Sequence, residues 1–372
     1  MPPDFQRDIY CVLGLPFDAI TQAAAEEFLR GAVRRRERCF FSTPNLNFIV
    51  ACRNDTFFRE SVLQSDLSVA DGWPIVTVAK LVGIPLPERV AGSTLFESLC
   101  VGVTSLPIRI YFFGGPECVA ETACERLNSS STGARCVGFE APGFGDIETM
   151  SGESTIQRMN DSGADFVVVA LGAKKGHAWI LHNLHRIAAP LVSHLGAVVN
   201  FAAGTVARAP YWVQRLRLEW AWRIKEEPAL WRRYVTDGWA LLHMLATRVV
   251  GHRVHLCIHR PSRATLAAAQ ATAESGTNGL LVRLNGAWSH ANLQPLRDLL
   301  QILTVQPRSV GVDLSAVTYL DDAAVGLLLL LHGWNLRLGA ARTVTAASTA
   351  SRRLLCGAGA GYLLGPRADH TD

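Results

Sequence analysis

The sequence predicts an α/β protein: a parallel sheet with flanking helices over residues 1–250, and a smaller α/β unit over residues 279–366. Three observations carry this. Short apolar runs alternate with helical patterns through the first 250 residues, the signature of a parallel sheet covered on both faces. The length of 372 residues suggests two domains. Beyond residue 250 the aromatics thin out and Ala and Leu dominate, so 251–278 reads as a linker.

The strand candidates are Asn47–Ala51, Leu67–Ala70, Ile108–Phe113, Phe166–Leu171 and Leu191–Val199, with helical patterns such as Val119–Asn128 and Gly176–Ile187 between them. Ala264–Ala273 is expected to be a linker helix or an irregular connection. In the second unit Leu280–Leu284 and Ser309–Leu314 read as strands, and Leu293–Leu303 and Ala323–Leu331 as helices. The five leucines Leu327–Leu331 are too few to span a bilayer and indicate a buried helix.

Hydrophobic residues make up 49% of the chain and charged residues 18%, which fits a globular protein with a large core. Its nine Cys form no CxxC pair, so reduced, buried thiols in a cytoplasmic protein are expected and a zinc site is not. The N-terminal residues carry Asp4, Arg7 and Asp8 with no apolar stretch behind them, so no secretory leader is expected. No window reaches about 18 uninterrupted apolar residues, which argues against a spanning helix.

The net charge of +4 is unevenly placed. From Arg208 to Arg253 there are eight Arg and Lys225 against Glu219, Glu226, Glu227 and Asp237, a local excess of +5. Within it, Trp212, Trp220, Trp222 and Trp231 are interleaved with Arg208, Arg215, Arg223, Arg232 and Arg233. Such a mixture suits an anionic membrane surface. The competing reading is an Arg-rich helix packed on its own domain through Trp. Nucleic acid is not expected, for want of a matching motif.

In parallel sheets function gathers at the carboxyl ends of the strands. There, Ile110–Phe113 runs into Gly114-Gly115-Pro116, and Val167–Leu171 into Gly172-Ala173-Lys174-Lys175-Gly176. Glycines admit a phosphate to the backbone, and helix N–H groups attract it. Ordinary tight turns and a solvated loop fit the same residues. Leu67–Ala70 ends in Asp71-Gly72, which places a carboxylate where acid–base work is done, although a turn Asp is commoner. Thr43, Asn45 and Arg89 are polar candidates near neighbouring strand ends.

An ordered set of motifs resembles the WecG/TagA/CpsF family of bacterial glycosyltransferases (glycosyltransferase family 26). It comprises Thr43-Pro44-Asn45, Ala70-Asp71-Gly72, Arg89-Val-Ala-Gly92, Phe113-Gly114-Gly115, Leu171-Gly172 with Lys175 and Trp179, Ala203-Gly204, Arg208-Ala209-Pro210, Leu218-Glu219-Trp220, Arg223, Glu227-Pro228 and Arg232-Arg233-Tyr234. The resemblance covers roughly residues 10–245 and implies a Rossmann-like sheet. It also implies transfer of a hexose (N-acetylmannosamine, its uronate, or glucose) from a UDP-sugar to a polyprenyl-diphosphate-linked saccharide, with inversion, in exopolysaccharide or cell-surface polysaccharide synthesis. It assigns Asp71 as base, with Thr43 near the sugar. Asn45, Gly72, Arg89, Gly92, Gly114, Gly115, Gly172, Lys175, Asn200 and Gly204 fall to the donor. Arg208, Arg215, Trp220, Arg223, Arg232 and Arg233 fall to the acceptor, the diphosphate and the inner face of the cytoplasmic membrane. With no Asp-x-Asp triplet in the chain, transfer without a metal or other cofactor is expected, Arg and backbone amides carrying the charge of UDP.

Three positions depart from the family pattern. Its Gln is Gly176, followed here by His177, which offers a replacement proton acceptor; one Asp is Asn200 and another is Thr94. These changes keep a second reading open: a catalytically impaired relative acting as a glycan-binding scaffold or regulator. A nucleotide-dependent oxidoreductase lacks a GxGxxG fingerprint. The second unit resembles a STAS domain through Val312–Val317 and Tyr319-Leu320-Asp321-Asp322-Ala323-Ala324-Val325-Gly326. Asp322 and Ala323 stand at the two Ser positions of its regulatory members. That implies a docking or regulatory module that no longer switches by phosphorylation, with Asp322 as a cap for the next helix. The sequence leaves a homo-oligomer open.

Overall fold

The computed structural model describes residues 3–101, 107–130, 133–207, 209–210, 212–213, 216–276 and 279–365. The chain opens with an antiparallel hairpin, β1 (Ile9–Val12) and β2 (Leu15–Asp18). Six strands follow: β3 (Cys39–Ser42), β4 (Leu67–Ser68), β5 (Ile108–Gly114), β6 (Ala134–Glu140), β7 (Phe166–Ala170) and β8 (Leu191–His194). They form one all-parallel sheet in the order β4-β3-β8-β7-β5-β6, as the alternation of strand and helix patterns predicts.

Nine helices among the described residues connect these strands: α1 (Gln22–Arg35), α2 (Leu46–Asn54), α3 (Thr56–Leu63), α4 (Trp73–Val82), α5 (Gly92–Cys100), α6 (Glu117–Ser130), α7 (Glu153–Asp161), α8 (Ala173–Asn183) and α9 (Gly196–Ala203). The pleat of β5 shows how the sheet is covered. Ile108, Ile110 and Phe112 point to the core under α1, α5, α6 and α9, while Tyr111 and Phe113 point to the core under α7 and α8.

Two strand expectations change. Asn47–Ala51 lies in α2, because Asn45 accepts the Phe48 N–H at 3.2 Å and caps a helix there. A five-residue apolar run cannot by itself distinguish strand from helix. Leu191–Val199 is a strand only to His194, and α9 starts at Gly196.

The basic, Trp-rich stretch is helical where described: α10 (Glu219–Glu226), α11 (Trp231–Met244), a π-helical stretch Leu245–Val249, and α12 (Val250–Ile258). Trp231, Val235, Trp239 and Leu242, then Val250, Val254 and Ile258, are exposed at three- and four-residue steps. Met244, Val249, His252 and Leu256 are buried on the other side. Asp237 is buried too and accepts from Asn47 Nδ2 at 3.1 Å, tying α11 to α2.

Residues 251–278, expected to be a linker, instead supply most of α12, α13 (Arg263–Ala267) and a strand, β9 (Gln270–Gly276). With β10 (Gly279–Trp288), β11 (Val310–Leu320) and β12 (Val344–Ala347), β9 makes a four-stranded sheet in the order β12-β11-β10-β9. Only β9 is antiparallel to its neighbour. Three helices complete this unit: α14 (Gln294–Leu303), α15 (Asp322–Arg337) and α16 (Thr349–Gly357).

The six-stranded sheet packs in two clusters of its own, but the C-terminal unit shares its core with the hairpin and the helices α2 to α4. One apolar cluster runs from Phe17 on the hairpin through Phe48, Val62 and Ile75 to Leu256, Val282 and Leu328. α15 is buried from Asp322 to Asn335, the five leucines included. Two glycines let it press on backbone. A methyl at Gly326 would lie 2.8 Å from Tyr10 Cα, and one at Gly333 2.8 Å from the Leu63 carbonyl carbon and nearer still to its oxygen. The cap of α15 is Asp321, not Asp322: its Oδ1 accepts from the Ala323 and Ala324 N–H groups at 3.0 and 2.9 Å. Asp322 meets His252 Nε2 of α12 at 2.8 Å in a buried pair. This face of the C-terminal unit is thus occupied by its own chain.

The cysteines also depart from expectation. Cys124 of α6 and Cys136 of β6 form a disulfide, their Cα atoms 5.2 Å apart, within the usual span. Cys11, Cys39 and Cys52 are buried free thiols, and Cys100 is buried as well.

The close approach of α15 sets a stability test. Gly326→Ala and Gly333→Ala should each lower unfolding free energy in urea by about 1–3 kcal/mol through overpacking. Gly251→Ala, on an exposed turn of α12 with open space around it, should be neutral or stabilising by up to about 1 kcal/mol.

Candidate active site

Three chain segments meet at one end of the sheet's carboxyl edge. The Asp71 N–H donates to the Pro44 carbonyl at 3.0 Å, and the Val90 N–H to the Ala70 carbonyl at 2.9 Å. These bonds stitch residues 43–45, 70–72 and 89–92 together just past β3 and β4. Asp71 Oδ2 accepts the Gly92 N–H at 3.3 Å, at the start of α5, where a helix N-terminus favours a carboxylate. Thr43 is buried against the same point. A methyl at Gly92 would lie 3.0 Å from Thr43 Oγ1 and 2.8 Å from Leu195 Cδ2, so both side chains press on the backbone that holds Asp71.

Arg89 joins this cluster to the Trp-rich stretch. Its Nε is 3.9 Å from Asp71 Oδ1, and its Nη1 pairs closely with Glu219 Oε2 at the first residue of α10. Arg223, one turn along, adds positive potential at Asp71 and leaves its own buried Nε without a partner. Burial pushes the Asp71 carboxyl above its usual range. Arg89, the Gly92 N–H and Arg223 act downward, while Glu219 acts upward. The Asp71 side chain still keeps 29% of its surface open, enough for an incoming hydroxyl to reach it.

Beside this cluster is a shallow cleft of about 250 Å³ between α4 and the residues leading into α10. Trp73 forms its floor, and the Arg217 guanidinium lies 4.0 Å above the indole.

The glycine turns line the middle of the edge. Gly114, Gly115 and Gly172 have φ of 100°, 80° and 79°, conformations that favour glycine. Gly114 is packed against the end of β7, but methyls at Gly115 or Gly172 would meet nothing within 4 Å. Both turns lead into helices, and α8 has no side-chain cap, so its first N–H groups are available to an anion.

Several expected donor residues are engaged elsewhere. Asn45 caps α2, and Gly72 turns the chain into α4. Lys175 Nζ donates to the Gly145 carbonyl at 2.5 Å, and neighbouring Lys174 pairs with Asp55 at 2.9 Å. Asn200 is half-buried on α9, where its carbonyl accepts the Thr205 N–H. Gly204 ends that helix, and a methyl there would collide with the Arg126 guanidinium. Arg232 and Arg233 are exposed on α11 and lie over the rings of Trp231 and Tyr234. Trp220 is half exposed beside Tyr234. Arg208 and Arg215 lie outside the described residues.

His177 does not reach the edge. It is caged by Phe40, Phe48 and Phe58 and bonded to Ser61 Oγ at 3.1 Å, so it cannot serve as a replacement proton acceptor. Two partners escaped the sequence reading. Glu219 belonged to a recognised motif but carried no role, because its meeting with Arg89 spans 130 residues. His194, at the end of β8, carried no motif at all.

A family profile described as the Glycosyl transferase WecG/TagA/CpsF family matches residues 10–254. Curated proteins named N-acetylglucosaminyldiphosphoundecaprenol N-acetyl-beta-D-mannosaminyltransferase are similar to about half of this chain. The one from Bacillus spizizenii is 32% identical over 178 residues, which is 48% of this chain and 67% of that protein. Those of Bacillus subtilis and Staphylococcus aureus are 28% and 23% identical, over 52% and 57% of this chain and 74% and 82% of theirs. The matched span takes in the whole parallel sheet, the Asp71 cluster and the helix that carries Glu219 and Arg223, and the chain belongs to the WecG/TagA/CpsF family of glycosyl transferases.

Proposed function

We propose that this protein is an inverting transferase that moves an N-acetylmannosamine-type sugar from a UDP-sugar to a polyprenyl-diphosphate-linked saccharide. The observation that carries the reading is the Arg89-centred cluster. An accessible carboxylate, raised by burial, sits beside two guanidiniums and within reach of a cleft. The acceptor hydroxyl attacks C1 of the sugar, the C1–O bond to the diphosphate breaks, and Asp71 takes the hydroxyl proton. The diphosphate carries two charges in the donor and gains a third on its terminal oxygen as the C1–O bond breaks. The uncapped start of α8, the Gly115 turn and Arg223 are read as the groups that receive this charge without a divalent cation. The relatives' names specify an undecaprenol-diphosphate-linked acceptor, and a prenyl-linked saccharide suits the cleft beside Trp73.

The exposed stripe along α11 and α12, flanked by Arg232, Arg233 and Arg248, is read as a surface that docks on an anionic membrane. Among the described residues no helix is long and apolar enough to cross one. The C-terminal unit is read as STAS-like. Its Asp321–Asp322 turn is spent on α15 and His252, so a protein partner would have to use another face.

Four outcomes test this. Asp71→Asn should lower UDP release in the presence of lipid-linked acceptor by at least about 100-fold while leaving the melting curve intact. The rate should rise with pH through an inflection above the usual carboxylate range, since the base works ionised. Glu219→Gln removes an upward influence on Asp71 and should move that inflection to lower pH. Arg89→Gln removes a downward one and should move it to higher pH. EDTA should leave the rate unchanged, and recovery of a lost rate by magnesium or manganese would refute metal-free transfer. The double variant Trp239→Ser/Ile258→Ser alters side chains that are 69% and 72% exposed, so each change should shift stability by no more than about 0.5 kcal/mol. It should nevertheless float poorly with phosphatidylglycerol vesicles.

A further inference from the structure

His194 is a side chain on the carboxyl edge that the reaction above does not use. It ends β8, which pairs with β3 on one side and β7 on the other, so it stands between the Thr43 turn and the Gly172 turn. Its imidazole is held by close packing. A methyl at Gly176, in the first turns of α8, would lie 3.1 Å from His194 Cγ and closer still to Cδ2, and one at Gly196 3.2 Å from Nε2. The ring has room only because residue 176 has no side chain.

That ring keeps its hydrogen-bonding capacity unspent. Nε2 is enclosed and unpartnered, and no bond to Nδ1 is formed among the described residues, although the residue remains partly exposed. A rigidly held ring with an unsatisfied nitrogen at the sheet's carboxyl edge calls for a partner, because buried polar groups are nearly always bonded. Burial also drives the imidazole down to about 4, so at neutral pH it offers one N–H and one lone pair.

Its neighbours place it along the reaction path. On one side the ring abuts the first turns of α8, whose uncapped N–H groups suit a diphosphate. On the other, the next residue, Leu195, packs on Gly92, whose N–H holds Asp71. A sugar joined to that diphosphate, with C1 near Asp71, would lie across His194.

We propose that His194 is a donor-specificity residue: its neutral imidazole hydrogen-bonds a hydroxyl or acetamido group of the transferred sugar, seated for that purpose by Gly176. This rests on the reading of the protein as a UDP-sugar transferase.

The test compares UDP-N-acetylmannosamine with UDP, which lacks the sugar, by calorimetry and by rate. His194→Ala should weaken the UDP-sugar about tenfold or more, seen in both Kd and KM, while UDP binds within twofold of wild type. Gly176→Ala, whose methyl displaces the ring, should copy that pattern, and His194→Gln should restore part of the loss. In the unaltered protein, labelled with 15N-histidine, the His194 ring signals should move with the UDP-sugar and stay with UDP. This arm does not depend on any variant folding. Affinity of His194→Ala for both ligands unchanged from wild type, an equal loss of both, or ring signals indifferent to the sugar would overturn the proposal. If the unaltered protein releases UDP while those results are found, the transferase reading survives alone. If it binds no UDP-sugar from a panel of them, both fall.

Discussion

The structure of the candidate site depends on one guanidinium. Arg89 lies between Asp71, at the end of β4, and Glu219, at the start of α10, with 18% of its side chain exposed. Take it away and two carboxylates face each other with only the more weakly acting Arg223 as counter-charge. The segment carrying Glu219 would then lose its only described ion pair to the sheet, and the carboxyl that Arg89 pulls down would rise. Docking of the Arg- and Trp-rich helices and tuning of the base are therefore the same interaction seen from two ends. Gly92 completes it by letting Thr43 and Leu195 close on the backbone that fixes Asp71.

What was legible in the sequence was what local physics decides. β5 and β7 read correctly, because apolar runs of five to seven residues bounded by glycine leave little else to be. Asp71 was legible as a carboxylate at a strand end. Asn47–Ala51 misled because the deciding bond, Asn45 to the Phe48 N–H, is a cap and not an apolar pattern. The hairpin β1–β2 was missed: its turn uses left-handed Leu13 and Gly14, and leucine is a poor signal for that conformation. β9 was missed because its Ala- and polar-rich sequence, QATAESG, looks like a connection; pairing with β10 makes it a strand. Glu219 and His194 depend on contacts between distant segments, which no local pattern reports.

The Trp-rich helices do pack on their own chain, though not through Trp. One side of α11 and α12 is ordinary core, with Met244, Val249 and Leu256 sealed against α2, α4 and the C-terminal unit. The other side exposes Trp231, Trp239 and a run of aliphatic residues over a rise of about 40 Å, taking 1.5 Å per residue across Trp231–Ile258. A helix that belongs to the core along one flank is rigid along the other, so whatever meets the exposed flank meets a fixed shape, and the Glu219–Arg89 contact lies at its near end.

Gly326 and Gly333 have a consequence for how such chains diversify. Where a helix touches the backbone of another segment through glycine, neither partner can change its path without the other. The C-terminal unit is therefore not a bead that recombination could exchange between relatives. A foreign unit would need glycines at the same two steps, leucines of matching reach, and a histidine opposite its first turn. The boundary at which a gene might be cut and rejoined, obvious in the composition near residue 250, falls inside the shared interior. Sequence drift on either side of it is bound to proceed in pairs.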